Sequence, residues 1–202
     1  MTTPAVLRTP RLVLDALTDA DVPALVSLAG DRRIADTMIS VPHPLDAAAA
    51  RQWLDRLRAG AASGTARHWA IRAADTGALV GMATLRAIDR EHEEAELSFW
   101  IGVASWGRGY ATEAAGAVIA HAFTSDGLNR LVAYHMVRNP SSGRVLARLG
   151  FRQEGLLRQR VKKWGVYEDV VLAALLRRDW AGGQPADGEP LTFVCPPRRH
   201  RP

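Results

Sequence analysis

The stretch Trp106-Gly107-Arg108-Gly109-Tyr110-Ala111 constrains this chain more than any other. Two glycines one residue apart sit between an apolar run, Ala95 to Val103, and the strongest helical pattern in the sequence. Ala111, Ala114, Ala115, Val118, Ile119, Ala122 and Phe123 recur at three- and four-residue spacing, the period of a helix with one buried face. The segment predicts a strand, a tight turn and a long helix. The first turn of such a helix leaves several backbone N–H groups unpaired, and the aligned peptide dipoles add partial positive charge there. Gly107 and Gly109 lack a Cβ, so the main chain can take positive φ and approach an anion closely. Arg108 can add a charge-assisted contact. By spacing alone, a tight turn without a ligand fits equally well. Two other phosphate motifs are excluded: there is no Gly-Lys-Ser/Thr, and no third glycine in an early parallel strand–helix–strand unit.

The rest of the pattern places this unit in an α/β chain. Arg11 to Leu17 alternates as a strand, and Thr18-Asp19-Ala20-Asp21 opens a helix that buries Val22, Leu25, Val26 and Ala29 before Gly30. Pro42-His43-Pro44 reads as a loop, and a second helix runs from about Asp46 to Ala59 with Ala50, Trp53, Leu54 and Leu57 inward. His68 to Ala73 and Leu79 to Ile88 flank the turn Asp75-Thr76-Gly77. Leu131 to Val137 is a strand, Asn139-Pro140 starts a helix ending at Gly150, and Phe151 to Arg160 and Val166 to Leu176 close the domain. This order packs as a central mixed, mostly antiparallel sheet with helices on both faces. One domain over 1–180 is expected, followed by a poorly ordered Gly/Pro/Arg-rich tail over 181–202 in which 191–194 could add a short strand.

Composition narrows the function classes. The chain has 202 residues, long enough for one proper core. No apolar run approaches the ~18–20 residues that span a bilayer, and the N-terminus lacks the pattern of a signal peptide. Cys195 is the sole cysteine, which rules out an internal disulfide, suits a reducing cytoplasm and has no partner signal. The net charge of +5 comes almost wholly from arginines scattered along the chain, not from a stripe of the kind nucleic-acid binders present. The six histidines show no metal-ligand spacing, so no metal is expected.

Trp106-Gly107-Arg108-Gly109-Tyr110-Ala111-Thr112-Glu113-Ala114 resembles the acetyl-CoA loop of GNAT acetyltransferases, in the branch of ribosomal-protein N-terminal acetyltransferases and their small-amine relatives. Leu7-Arg8-Thr9-Pro10-Arg11-Leu12-Val13-Leu14 is similar to that branch's opening, Asn139-Pro140-Ser141-Ser142 with Leu149-Gly150-Phe151 to its middle, and Glu154-Gly155, Gly165, Asp169 and Leu175 to Trp180 to its closing hairpin. Two positions depart: Trp106 stands where the family carries Gln or Arg, and Leu146 stands where other branches carry a tyrosine acid.

The resemblance implies aminolysis of a thioester, with acetyl-CoA as co-substrate and a protein N-terminus or small-molecule amine as acceptor. It places Trp106, Gly107, Arg108, Gly109, Tyr110, Ala111 and Thr112 at the pyrophosphate. Main-chain groups of Ile101 and Val103 would pair with the pantetheine arm, and Asn139 and Ser142 would line the same cofactor. Glu96 corresponds to the family's strand glutamate and is the first candidate base, with Glu94 in reserve; a salt-bridged strand carboxylate is an equally good reading. Ser142 is the candidate acid for the sulfur, against which helix capping weighs evenly. His43 and Trp53 fall in the region that forms the acceptor pocket, whereas His135 reads as a core residue. A homodimer is expected, as in many relatives. A catalytically silent CoA-binding domain, a transferase for a longer donor such as succinyl-CoA, and a basic nucleic-acid module are the competing functions.

Overall fold

The computed structural model describes residues 4–39 and 41–182. In chain order these form β1 (Leu7–Arg8), β2 (Leu12–Asp15), α1 (Val22–Ala29), α2 (Arg32–Ala35), α3 (Ala47–Ala62), β3 (Arg67–Ala73), β4 (Leu79–Asp89), β5 (Glu94–Ile101), α4 (Tyr110–Thr124), β6 (Arg130–Met136), α5 (Pro140–Arg148), β7 (Arg152–Lys163) and β8 (Val166–Leu176). The strands make one eight-stranded sheet in the order β1-β2-β3-β4-β5-β6-β8-β7. Neighbours are antiparallel except β5 and β6, which run parallel with α4 as the crossover. The expected tail from residue 183 onward, with 191–194 and Cys195, lies outside the described residues.

Local chemistry explains most boundaries. Thr18 and Asp21 form a reciprocal cap, with the Thr18 amide donating to the Asp21 carboxylate over 2.8 Å, and α1 follows. β2 ends at Asp15, two residues short of the expected Leu17. There Asp15 and Asp21 converge on the Arg72 guanidinium of β3, each at 2.8 Å, and the chain turns toward the cap. Asp46 caps α3 by accepting from the Ala49 amide at 2.8 Å. The four-residue α2 has no counterpart in the sequence reading; one turn is too short to show a period, and Asp31 starts it by accepting from the Arg33 amide. The strand expected to reach Val103 stops at Ile101. Gly102 donates to the Val80 carbonyl at 2.8 Å, and Val103–Ser105 coil into a 3₁₀ turn that Trp106 closes. Val103 is thereby turned out of the ladder in which it was expected to meet a cofactor.

The sheet separates two cores. On one face, Leu97 and Ile101 of β5 pack with Ala114, Ala115, Val118 and Ile119 of α4 and Leu146 of α5. On the other, Trp100 and Met82 pack with Leu25 of α1, Ile34 of α2 and Trp53 and Leu54 of α3. β5 and β6 are joined only at Glu94/Arg130, Ala95/Leu131 and Glu96/Val132. Beyond those three pairs the strands part, and the sheet has an opening at its centre.

Candidate functional site

A cavity of about 450 Å³ occupies that opening. Gly107, Gly109, Tyr110, Ala111 and Thr112 line it on the α4 side, with Asn139, Ser142, Arg144 and Arg148 from the region of α5. Arg33, Ile34, Thr37 and Met38 line it on the other side, with Ser98 and Trp100 of β5 and Tyr134 of β6. The cavity therefore joins the two faces of the sheet where β5 and β6 separate.

Gly107 and Gly109 have φ of 76° and 78°, the left-handed region that favours glycine. The first α-helical hydrogen bond beyond them runs from the Glu113 amide to the Gly109 carbonyl, so the amides of Tyr110, Ala111 and Thr112 have no partner within the helix. No side chain caps α4. These donors, the helix dipole and a Cβ-free approach form a cradle suited to a pyrophosphate.

The edge of β5 adds a second set of backbone groups. Gly81 faces Ile101 and Met82 faces Trp100, and the Gly102 amide bonds across to Val80. Alternation in an antiparallel ladder then turns the N–H and C=O of Phe99 and Ile101 away from β4, toward the opening. One of these acceptors is engaged: the Trp106 indole N–H donates to the Ile101 carbonyl over 2.6 Å. Trp106 is 50% exposed and occupies the chain position where a Gln or Arg was expected.

Other expected residues fall in distinct places. Asn139 and Ser142 both line the cavity, and the Ser142 amide donates to the Asn139 side chain at 3.3 Å, so capping and cavity lining coexist. The Arg108 side chain is not among the lining groups; its carbonyl accepts from Arg11 at 2.8 Å. Glu96 lies on the face of Ser98 and Trp100, with 15% of its side chain exposed, and its carboxylate is ion-paired with Arg86 directly across on β4. It stands two residues from Ser98, which reaches the cavity. Glu94 is drawn off to Arg130 at 2.6 Å. Neither His43, which packs on Trp164 at 5.5 Å, nor Trp53, which is buried against α1, lines the cavity. His135 does line it. Burial pushes its titration below the ordinary histidine range, opposed by a contact of Nδ1 with the Met136 carbonyl.

Sequence reasoning singled out neither Arg33 of α2 nor Ser98 and Tyr134. Ser98 and Tyr134 sit on recognisable strands, but only the parting of β5 and β6 makes them cavity residues. The lining includes Arg33, Arg144 and Arg148 and, among the described residues, no Asp or Glu. Also among the described residues, no group of three or more His, Cys, Asp or Glu could hold a metal ion, and no helix is long and apolar enough to cross a membrane.

A model of the acetyltransferase (GNAT) domain matches residues 11–152. The chain is 32% identical over 176 residues to an uncharacterised N-acetyltransferase, p20, of Bacillus licheniformis, covering 87% of this chain and 98% of that one. It is 32% identical over 122 residues to the [ribosomal protein uS5]-alanine N-acetyltransferase of Escherichia coli, covering 60% of this chain and 63% of the relative. The solved structure of Mycobacterium smegmatis RimJ in complex with CoA-disulfide superimposes with a TM-score of 0.76 at 26% identity, over 87% of each chain.

Proposed function

The chain belongs to the GNAT acetyltransferase family, and from that premise we propose how its cavity divides an acetyl-CoA-dependent N-acetyltransfer between the two faces of the sheet. Acetyl-CoA would be held on the α4 side and a primary amine would approach from the α2 side. The observation that carries this reading is the cavity that crosses the sheet where β5 and β6 part. Amides from Gly107 to Thr112 would bind the pyrophosphate. Main-chain groups of Phe99 and Ile101 would meet the pantetheine, with Asn139 and Ser142 beside it. Arg108 and Val103, off the lining, contribute through their main chain at most.

In the reaction the amine nitrogen bonds to the acetyl carbon, the carbon–sulfur bond breaks, and the proton lost by nitrogen ends on sulfur. The amine must be neutral to attack, yet an α-amine titrates near ~8 and a lysine-like amine near ~10.4. Glu96 is our base, acting through water at the Ser98 end of the cavity; the pairing with Arg86 uses Oε1 and leaves Oε2 to accept. Ser142, across the sheet opening, is our donor to the leaving sulfur.

The acceptor would be a monoamine, such as the α-amine of a protein N-terminus or a small molecule. On the acceptor side the lining presents Arg33, itself paired with Asp31, and no carboxylate, so it offers no counter-ion to a polycation. The uS5-alanine relative supports an N-terminal amine. We further propose a homodimer working in the cytoplasm. The first is supported by exposed apolar side chains of the β7–β8 hairpin, Leu156, Val166 and Tyr167, and sedimentation checks it. The second is supported by the lone cysteine.

Thiol release measured with a panel of amines tests the function. Peptides or amino acids with one free amine should turn over, and spermidine should turn over at least about tenfold less efficiently. No thiol release with any amine, despite CoA binding, would leave a silent CoA-binding domain. Preference for succinyl-CoA would move the donor assignment.

A further inference from the structure

We propose that Arg11 is a positioning residue for the pyrophosphate loop, held for that task by Thr9 and Glu113; the inference rests on the cofactor assignment above. Thr9 and Arg11 lie at the start of the chain, and Glu113 lies in the first turn of α4, 102 residues from Arg11. The Glu113 carboxylate accepts from the Thr9 hydroxyl at 2.6 Å, the Arg11 amide at 2.9 Å and the Arg11 Nε at 2.7 Å. The Arg11 guanidinium then reaches on over the Tyr110 ring, 5.1 Å from its centroid, and donates from its other arm to the Arg108 carbonyl at 2.8 Å.

Two consequences follow from planarity and charge. A trans peptide holds its C=O and the following N–H in opposite directions. Fixing the Arg108 carbonyl on Arg11 therefore aims the Gly109 N–H away from Arg11, and Gly109 is a cavity-lining residue while Arg11 is not. Glu113 also puts a negative charge in the helix turn that is to receive phosphates. Burial would raise its titration, but Thr9 and Arg11 hold it below the usual carboxylate range, so its charge stays paired. The fork that orients the loop is the same group that neutralises this carboxylate, a task suited to the planar guanidinium and not to a lysine.

The Arg11 side chain is 51% exposed, and exposed ion pairs add little to stability. A positioning role and a structural one therefore predict different readouts. The test compares kcat/KM for acetyl-CoA with that for S-acetylpantetheine, which lacks the pyrophosphate, in the wild type and in Arg11→Gln and Arg11→Lys. The ratio of the two values should fall about tenfold in Arg11→Gln, the size of one charge-assisted contact, and partway in Arg11→Lys. If Arg11→Gln does not fold, Arg11→Lys and Thr9→Val carry the same comparison. An unchanged ratio, whether both thioesters slow together or neither does, overturns the inference. A wild type with no preference for acetyl-CoA over acetylpantetheine instead overturns the cofactor assignment on which it rests.

Discussion

At the scale of single residues, the site depends on two kinds of chemistry, one carried by the main chain and one by side chains. Gly109→Glu places a branch and a charge where the loop needs positive φ and where the proposed pyrophosphate would lie. Calorimetry with acetyl-CoA should lose at least about a hundredfold in affinity. Glu96→Gln keeps the shape and hydrogen bonding of the carboxylate but not its basicity. kcat should fall about a hundredfold or more, with KM for acetyl-CoA little changed, and normal turnover at saturating amine would remove Glu96 from the mechanism. The glycine pair was legible in the sequence because a tight turn opening a helix is a local event, written in consecutive residues. The Arg86–Glu96 pair was not, because it depends on the register of β4 against β5. The same holds for Thr9, Arg11 and Glu113: all three stood in recognised motifs, yet only the folded chain shows that one motif holds the other.

At the scale of elements, α4 is fitted to its sheet by small side chains. Ala114, Ala115 and Ala122 are fully buried in the face that meets β4 and β5. Ala115→Leu would force extra methylenes into this contact. It should cost about 1–3 kcal/mol, read as a lower urea midpoint at unchanged slope. Helices α1, α3 and α5 were readable from the start and stop signals that bound them, and α4 from an apolar period sustained over several turns. α2 and the 3₁₀ turn at Val103–Ser105 were not, because a single turn carries no period, and the 3₁₀ turn also follows a tertiary bond, Gly102 to Val80. His43 and Trp53 were sought in a region whose cavity wall is the unforeseen α2 and the residues just after it.

For the whole molecule, buried and half-buried histidines contribute to the response to acid. Burial lowers the titration of His68 to about 4, and also lowers those of His121 and His135. The unfolded chain binds these protons near pH ~6.5 while the folded chain does not, so stability falls as pH drops from there toward 4. Asp21 and Glu113 act in the same direction at lower pH. Burial raises them, but Arg72 for the one and Thr9 with Arg11 for the other hold both below the usual range, so their stabilisation is lost on acidification. The melting temperature should be level above pH 7 and decline below about 6.5, less steeply in His68→Asn. A flat profile between pH 7 and 5 would contradict this account.

The three-pair seam between β5 and β6 has a further meaning for the protein in a cell. A donor molecule lying along the gap would supply rungs that the polypeptide leaves out, and the enzyme would then be tied to its own feedstock as a structural component. At a concentration one hundred times its Kd, acetyl-CoA would add about 2.7 kcal/mol to the folded state. Amide exchange in 133–136 should slow accordingly. When the acyl supply runs low, the molecule would loosen along its midline first, and its survival against proteases would track the nutritional state of the cell.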